Sequence, residues 1–591
     1  MPVHAMRLLA GFAVVTVVVL APMAGVAQIG DQPPPSPGRE PPAPRQRLAS
    51  PLRFREAAVV SESAIASRVG AEVLARGGNA VDAGIATAFA LAVTLPSAGN
   101  IGGGGFLVVR LPDGVATSFD FRETAPQAAR PEMFLGPGGA YDPERHHWSI
   151  LSAGVPGSVA GLHLAHQRLG KLPWKDLVQP AVELAAKGFL VTRGLAEDIA
   201  EVLPSLRKHA AAAAQFTKDG RPLQEGDTLI QSDLGRTLER IRDEGPRGFY
   251  AGETARLLAR EMERLGGLIT EEDLARYRAV ERKPVSGSYR GHEVISMPPP
   301  SSGGVALIEM LNILEGYDLS GLGARSSREC HLLIEAMRRA FADRARHLGD
   351  PDTAAVPTER LVSKEHAADL RRTIRPGHAS RSSPQSFEWP REGAQTTHLS
   401  VVDRDLMAVA LTTTLEQSYG SRIVVTGAGF LLNNEMGDFN AVPGLTREDG
   451  RIGTPPNVAG PGKRMLSSMT PAIVVRGGRP LLVIGSPGGR TIINTVLEVI
   501  VNVIDHEMAV QDAIDSPRFH HQWLPDVVQV EPWCMAPDVR AALEAMGHRI
   551  AVEKGPQGCA MGLIIDPGEP GMRSIEAGVD RRRPDGGAAG R

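Results

Sequence analysis

Gln395-Thr396-Thr397-His398-Leu399-Ser400-Val401-Val402-Asp403 is the stretch on which the reading of this chain turns. Its β-branched and alternating residues make Thr397 to Val402 a strand. Met407 to Thr413 makes a second, and Asp403-Arg404-Asp405 joins the two. Two such runs with a short polar connection between them signal a β-hairpin. Ahead of the hairpin, Pro376 through Gln395 is polar, holds Gly, Ser, Pro and Arg, and keeps no period, so it reads as a connecting segment. Thr396 thus stands at the mouth of a strand, directly after a loop. A lone Thr in that position is ordinarily a β-former and nothing more; its surroundings decide the matter.

Outward from the hairpin, helical and strand patterns alternate. Ser63 to Arg76 carries Ile65, Val69 and Val73 on one helical face and closes on Gly77-Gly78. Ala80 to Val93 is a helix of mostly small residues, and Gly102 to Gly105 leads into a short buried strand, Phe106 to Val109. Amphipathic segments follow near 174–188, 227–243, 253–265, 304–316 and 327–347. Beyond the hairpin, Ile473 to Val475 and Leu481 to Ile484 read as strands. Gly485-Ser486-Pro487-Gly488-Gly489 then opens an apolar helix from Arg490 to about Ile504. There is no internal repeat.

The 591 residues carry 64 Lys and Arg against 67 Asp and Glu, a net charge of −3, and only 4% are aromatic. That balance argues against a nucleic-acid protein, which wants a basic face and stacking surfaces. Gly (65) and Pro (46) are abundant enough to exclude long coiled coils. At the start, Arg7 precedes an uncharged run with its apolar core from Leu8 to Ala21, followed by the small residues Ala24, Gly25 and Ala27. This pattern predicts a secretory signal, 1–27, cut after Ala27, and hence a periplasmic or secreted protein. The alternative is an uncleaved membrane anchor. Residues 28–50 hold seven Pro and read as an extended tether. The polar, Gly-rich end, from about 575 to Arg591, is expected to be disordered.

Several kinds of chemistry find no support. Cys330, Cys534 and Cys559 are odd in number and show no CxxC, so neither a disulfide framework nor a zinc cluster is signalled; one bridge is possible, and a buried thiol is expected for at least one of the three. His146-His147 and His520-His521 are adjacent pairs, which do not converge easily on one metal, and there is no HExxH; they read as structural or surface histidines. The Gly485 to Thr491 loop lacks the Lys of a phosphate loop, and no G-x-S-x-G surrounds Ser467 or Ser486.

Seven motifs, in order, change the weight given to Thr396. They are Gly77-Gly78-Asn79-Ala80-Val81-Asp82-Ala83, Asn100-Ile101 with Gly102 to Phe106, and Asp120-Phe121-Arg122-Glu123-Thr124-Ala125-Pro126. Leu432-Asn433-Asn434-Glu435-Met436-Gly437-Asp438-Phe439, Ser467-Ser468-Met469-Thr470-Pro471, Gly485 to Gly489, and Pro517 to Trp523 complete them. From about Val59 to about Gly562 the chain resembles the γ-glutamyltranspeptidase family, exported enzymes of the N-terminal nucleophile hydrolase class. The resemblance implies an α/β (α+β) fold, a four-layer αββα sandwich. It implies autocatalytic cleavage between Gln395 and Thr396 into a large subunit, 51–395, and a small one, 396–591, which remain packed as a heterodimer. It also implies γ-glutamyl transfer from compounds such as glutathione to water or an amine, with no metal or organic cofactor. A hydroxyl is a weak nucleophile, and a free α-amine on the same Thr is a recognised activator. That amine, with an ordinary pKa of about 7.7–8.0, is partly neutral at pH 7.

Residue by residue, the resemblance makes Thr396 the nucleophile, hydrogen-bonded by Thr414, and gives the oxyanion hole to the N–H groups of Gly488 and Gly489. Arg122, Ser467 and Ser468 would take the substrate α-carboxylate, for which a guanidinium suits planar recognition. Glu435 and Asp438 would take the α-ammonium. One position departs from the pattern. Many members carry Asn where this chain has Glu416. A third carboxylate beside Glu435 and Asp438 would raise the pKa of its neighbours; the alternative is that Glu416 points elsewhere. Asn440 to Lys463 corresponds to the family's lid and holds no Phe, Tyr or Trp, so appreciable hydrolysis is expected beside transfer. Two enzymic alternatives use the same nucleophile, a related acylase and a poly-γ-glutamate depolymerase. Outside that class stands a catalytically silent exported binding protein.

Overall fold

The structure, a computed structural model, describes residues 52–383, 395–444, 454–566 and 573–591. The expected signal and tether, residues 384–394 before the hairpin and residues 445–453 of the lid lie outside these. The strands of the two large sheets are, up to the hairpin, β1 (Leu52–Phe54), β2 (Ala58–Ser61), β3 (Gly104–Arg110), β4 (Ala116–Phe121), β5 (Val280–Arg282), β6 (Val285–Tyr289) and β7 (His292–Ser296). From the hairpin on they are β8 (Gln395–Val402), β9 (Ala408–Glu416), β10 (Ala472–Arg476), β11 (Arg479–Gly485), β12 (Met561–Asp566), β13 (Ser574–Val579) and β14 (Gly587–Gly590). One sheet runs β14-β2-β8-β9-β3-β4-β5 and the other β1-β13-β12-β11-β10-β7-β6, with antiparallel neighbours throughout.

Side-chain alternation along the hairpin builds the layers. Leu399, Val401, Val409 and Leu411 point to one side, into the core under α1 (Ala64–Ala75) and α2 (Ala80–Thr94). Val402, Ala408 and Ala410 point to the other side, where they meet Ile473, Val483 and Leu563 of the facing sheet. Beyond that sheet, α3 (Gly303–Leu314), α4 (Ser327–His347) and α5 (Thr491–Ile504) bury Met310, Met337 and Val496 against its outer face. The result is the expected αββα sandwich, and the described residues from Leu52 to Arg591 form a single compact unit. Among the described residues no helix is long and apolar enough to cross a membrane.

Local chemistry sets the helix ends close to where the sequence puts them. Ser63 caps α1 through its side chain, and Gly77, at φ +92°, turns the chain out of it. Asn79 and Asp82 form a reciprocal capping box on α2. Gly70 lets α1 lie close on α2: a Cβ there would come within 2.2 Å of Thr87 Oγ1. All three cysteines are free and buried.

Two expectations need correction. Strand β8 begins at Gln395, so Thr396 lies just inside the strand rather than at its mouth. The carboxyl-terminal segment is ordered. β13 is internal to the second sheet, and β14 forms the edge of the first, pairing Ala58 with Gly590 and Ser61 with Gly587. Arg582 pairs with Glu531 at 2.6 Å and Arg583 with Asp198 at 2.7 Å. Gly587 to Gly590 carries no apolar alternation, so a sequence reading misses it; backbone ladder bonds and paired guanidinium groups hold it instead.

Candidate active site

Thr396 and Thr414 face each other across the β8–β9 ladder, where the register slips between Gln395 and Thr396 and leaves Leu415 without an opposite residue. Their hydroxyls are 3.4 Å apart, both residues are buried, and Thr414 Oγ1 also accepts the Glu416 N–H at 2.8 Å. That slip carries Glu416 into a left-handed backbone conformation, φ +78°, uncommon for a residue with a side chain. A narrow cleft of about 20 Å³ brings together Thr396, Thr414, Arg122, Glu416, Glu435, Asp438, Ser467, Ser468 and Gly489. Of the ten catalytic and binding residues named from sequence, all but Gly488 line it; Gly488 immediately precedes Gly489 in the same turn.

Charge dominates the inner end. Arg122, at the end of β4 and 1% exposed, donates to Asp438 and lies 2.5 Å from Glu435 Oε2. It also donates to the Met465 and Leu466 carbonyls, at 3.3 and 3.2 Å. Burial works against its charge, but Glu435, Asp438 and Glu123 outweigh burial and hold the guanidinium protonated. Burial likewise pushes Glu435 well above the carboxylate range; Arg122 pulls it back, while Glu123, Asp438 and Glu416 add to the rise. The sequence reading separates an anion site at Arg122 from a cation site at Glu435 and Asp438; here the two are in contact. A bound zwitterion would exchange these ion pairs for its own, carboxylate for carboxylate and ammonium for guanidinium, without stranding a buried charge.

The serines and the glycine turn close the other walls. Arg344 of α4, fully buried, donates to Ser468 Oγ at 2.8 Å and to Ser302 Oγ at 2.6 Å, and Ser302 in turn donates to the Ser467 carbonyl. Gly488 and Gly489 adopt φ +131° and +57°, and a Cβ on Gly488 would come within 2.4 Å of Thr491 Oγ1. The turn ends at α5, whose positive N-terminal end lies beside the cleft. Such a turn can present N–H groups to a developing oxyanion.

Glu416 reaches the cleft and also leans away from it. Its carboxylate accepts from Asn434 and from Gln417 at 3.1 Å, and lies 3.5 Å from His147 Nδ1. Burial opposes a charge on His147, but the Glu416 carboxylate outweighs it and raises the imidazole pKa. His147 is thus a buried partner of Glu416 rather than a surface residue. Sequence reasoning missed His147 and Arg344 as neighbours of the site. Arg344 sits in the charge-rich run Arg338 to His347, which looks like a solvated helix face. Asn440 and Asn457, in the described parts of the lid on either side of residues 445–453, bind each other's segments, and Asn457 donates to the Asp438 carbonyl at 2.7 Å.

Among the described residues two groups elsewhere have metal-ligand spacing, the buried His331–Glu335–His548 and the Glu309–Asp343–His366 set, whose His366 is only partly buried. Neither lines the Thr396 cleft. Glu335 is engaged by Arg338, Arg339 and Ser380, and Asp343 by His366 at 2.6 Å.

With this geometry in hand, similarity to known proteins is informative. Residues 66–590 match the family model described as Gamma-glutamyltranspeptidase. The glutathione hydrolase proenzyme of Escherichia coli K12 is 46% identical over 540 residues, 89% of this chain and 92% of that protein. A cephalosporin acylase from Bacillus halodurans superposes with a TM-score of 0.80 at 27% identity, covering 96% of this chain and 99% of the other. A γ-glutamyltranspeptidase chain from Helicobacter pylori gives 0.54 at 42% identity, covering 57% of this chain and 95% of its own. A nearly full-length match, joined to a cleft that gathers the motif residues around Thr396, leaves one conclusion: the chain belongs to the γ-glutamyltranspeptidase family.

Proposed function

We propose that the chain is a precursor that cuts itself between Gln395 and Thr396 and then acts as a γ-glutamyl transferase and hydrolase on γ-glutamyl amides such as glutathione. The observation that carries this is the convergence of the Thr396 and Thr414 hydroxyls, 3.4 Å apart, with Arg122, Glu435 and Asp438 in one cleft. In the first event Thr396 Oγ attacks the Gln395 carbonyl carbon, the peptide C–N bond breaks, and the nitrogen takes the hydroxyl proton to become the Thr396 amine. Water then hydrolyses the ester and leaves a Gln395 carboxylate. In the mature enzyme that amine takes the proton as Thr396 Oγ attacks the γ-glutamyl carbonyl. Gly488 and Gly489 N–H groups would hold the oxyanion, each such donor contributing about 3–4 kcal/mol to barrier lowering. The leaving amine departs with the proton, and water or an acceptor amine releases the acyl group.

The mature chains would be 28–395 and 396–591, the segment 1–27 being removed on export. Ion-pair partners for both ends of an α-amino acid support a γ-glutamyl donor. The likeness to a cephalosporin acylase supports a second reading, an acylase on glutaryl-type side chains. Turnover of a γ-glutamyl anilide against a glutaryl anilide separates the two, because only the former has an ammonium for Glu435 and Asp438. Thr396→Ala should remain one uncut, inactive chain; two chains of normal size from that variant would sink the proposal.

A further inference from the structure

Glu62 follows β2 directly and is 3% exposed, yet the reaction scheme gives it no task. β2 ends at Ser61, opposite Leu399, so the first residues of β8 extend past the ladder on that edge. The Glu62 side chain continues where the strand stops: Oε1 accepts the His398 N–H at 3.4 Å. In a strand successive N–H groups alternate between the two edges. Thr396, two residues before His398, therefore presents its backbone nitrogen on the Glu62 edge too, about 7 Å further along. A swing of the Glu62 side chain along the strand, completed where needed by a bridging water, would close that span. Room for water exists, because Glu62 lines a cavity of about 530 Å³ whose walls include Gly488, Thr491, Gly558 and Arg583.

We infer that, once the Gln395–Thr396 bond is cut, the Glu62 carboxyl holds the new α-amine of Thr396 and sets its proton affinity, a role that rests on the reading of Thr396 as an N-terminal nucleophile. Glu62 is a positioning residue: it acts on the reaction through Thr396 and touches no substrate. Burial pushes the Glu62 carboxyl up to about 7, with Arg583 and the His398 N–H pulling it back. An α-amine titrates near the same pH, so the two exchange a proton as a pair. Arg583, Asp580 and Cys559 face Glu62 from the carboxyl-terminal elements, with Asp198 beyond Arg583. On the opposite face of β8, Glu416, Glu435, Asp438 and Arg122 share the cleft with the Thr396 hydroxyl, and His398 is two residues on. A change confined to Glu62 leaves all of these in place.

The test compares wild type with Glu62→Gln and Glu62→Asp. Gln keeps the shape and an oxygen for the His398 N–H, but removes the negative charge that favours the ammonium form. The neutral amine is the working base, so the acid limb of the kcat–pH profile for γ-glutamyl anilide hydrolysis should move down by about one pH unit in Glu62→Gln. Glu62→Asp should fall between. Mass spectrometry of each protein reports whether a chain beginning at Thr396 has formed. Cut, active variants whose acid limb stays in place overturn the role of Glu62. Wild type found uncut overturns the reading of Thr396 beneath it, and the two failures are distinct.

Discussion

Thr414→Val removes one hydroxyl and keeps the shape of a buried β-branched side chain. The Glu416 N–H, held at 2.8 Å, is left without its acceptor, and a stranded buried donor costs about 1–3 kcal/mol of stability. The 3.4 Å contact to Thr396 Oγ1 is long at rest and should shorten as charge develops on the nucleophile. A hydrogen bond to a charged group contributes about 1.5–3 kcal/mol, which converts to a rate loss of about 10- to 150-fold. In the proposed mechanism both self-cleavage and turnover use this hydroxyl, so both should slow by that order. A gel time course of precursor loss and initial rates on a γ-glutamyl anilide read the two effects separately. Thr414→Ser, which restores the oxygen, should recover most of each. Should Thr414→Val mature at the wild-type rate with kcat within about two-fold, the hydroxyl is not part of the machinery.

Two further outcomes follow from burial and from the ordered tail. Burial pushes the Glu123 carboxyl up by more than Arg122 pulls it back, so the folded state binds its proton more tightly than the unfolded state. Stability should therefore fall as pH rises from the ordinary carboxylate range through the raised value of about 8; Glu123→Gln should flatten the decline in urea midpoint between about pH 4.5 and about pH 8, and parallel declines would count against it. Ending the chain at Asp580 deletes β14 and the Arg582 and Arg583 ion pairs, which should lower the urea midpoint and the yield of mature enzyme; an unchanged midpoint would refute the structural role of the tail.

Local signals are legible in this sequence, and distant pairings are not. The hairpin and helices such as α4 come from periodicity and caps, because those depend on near neighbours. Nothing local says that Glu62 lies against His398, 336 positions away, or that β14 flanks β2. The cleft residues come from motif resemblance, and the structure gathers them. The contact of Arg122 with Glu435 and Asp438 is invisible in the motifs, since a motif names residue types and not their partners. Arg344 and His147 were hidden for a related reason: burial of a charged or titratable side chain is a property of the packed helices and loops around it.

The order of strands has a consequence for the life of the mature protein. From Thr396 onward the chain supplies nearly all of β8, then β9 and β14 to one sheet, and β10 to β13 to the other. After a cut at Gln395–Thr396, separating the two polypeptides would mean breaking the β14–β2, β2–β8 and β9–β3 ladders together with β1–β13 and β10–β7. Each polypeptide alone would expose several unpaired sheet edges, which invite aggregation. Folding therefore belongs to the uncut chain. Once matured and then unfolded, the two parts must find each other in solution, and dilution works against them. Self-cleavage would thus exchange a fold that can be remade for one protected by its unfolding barrier alone.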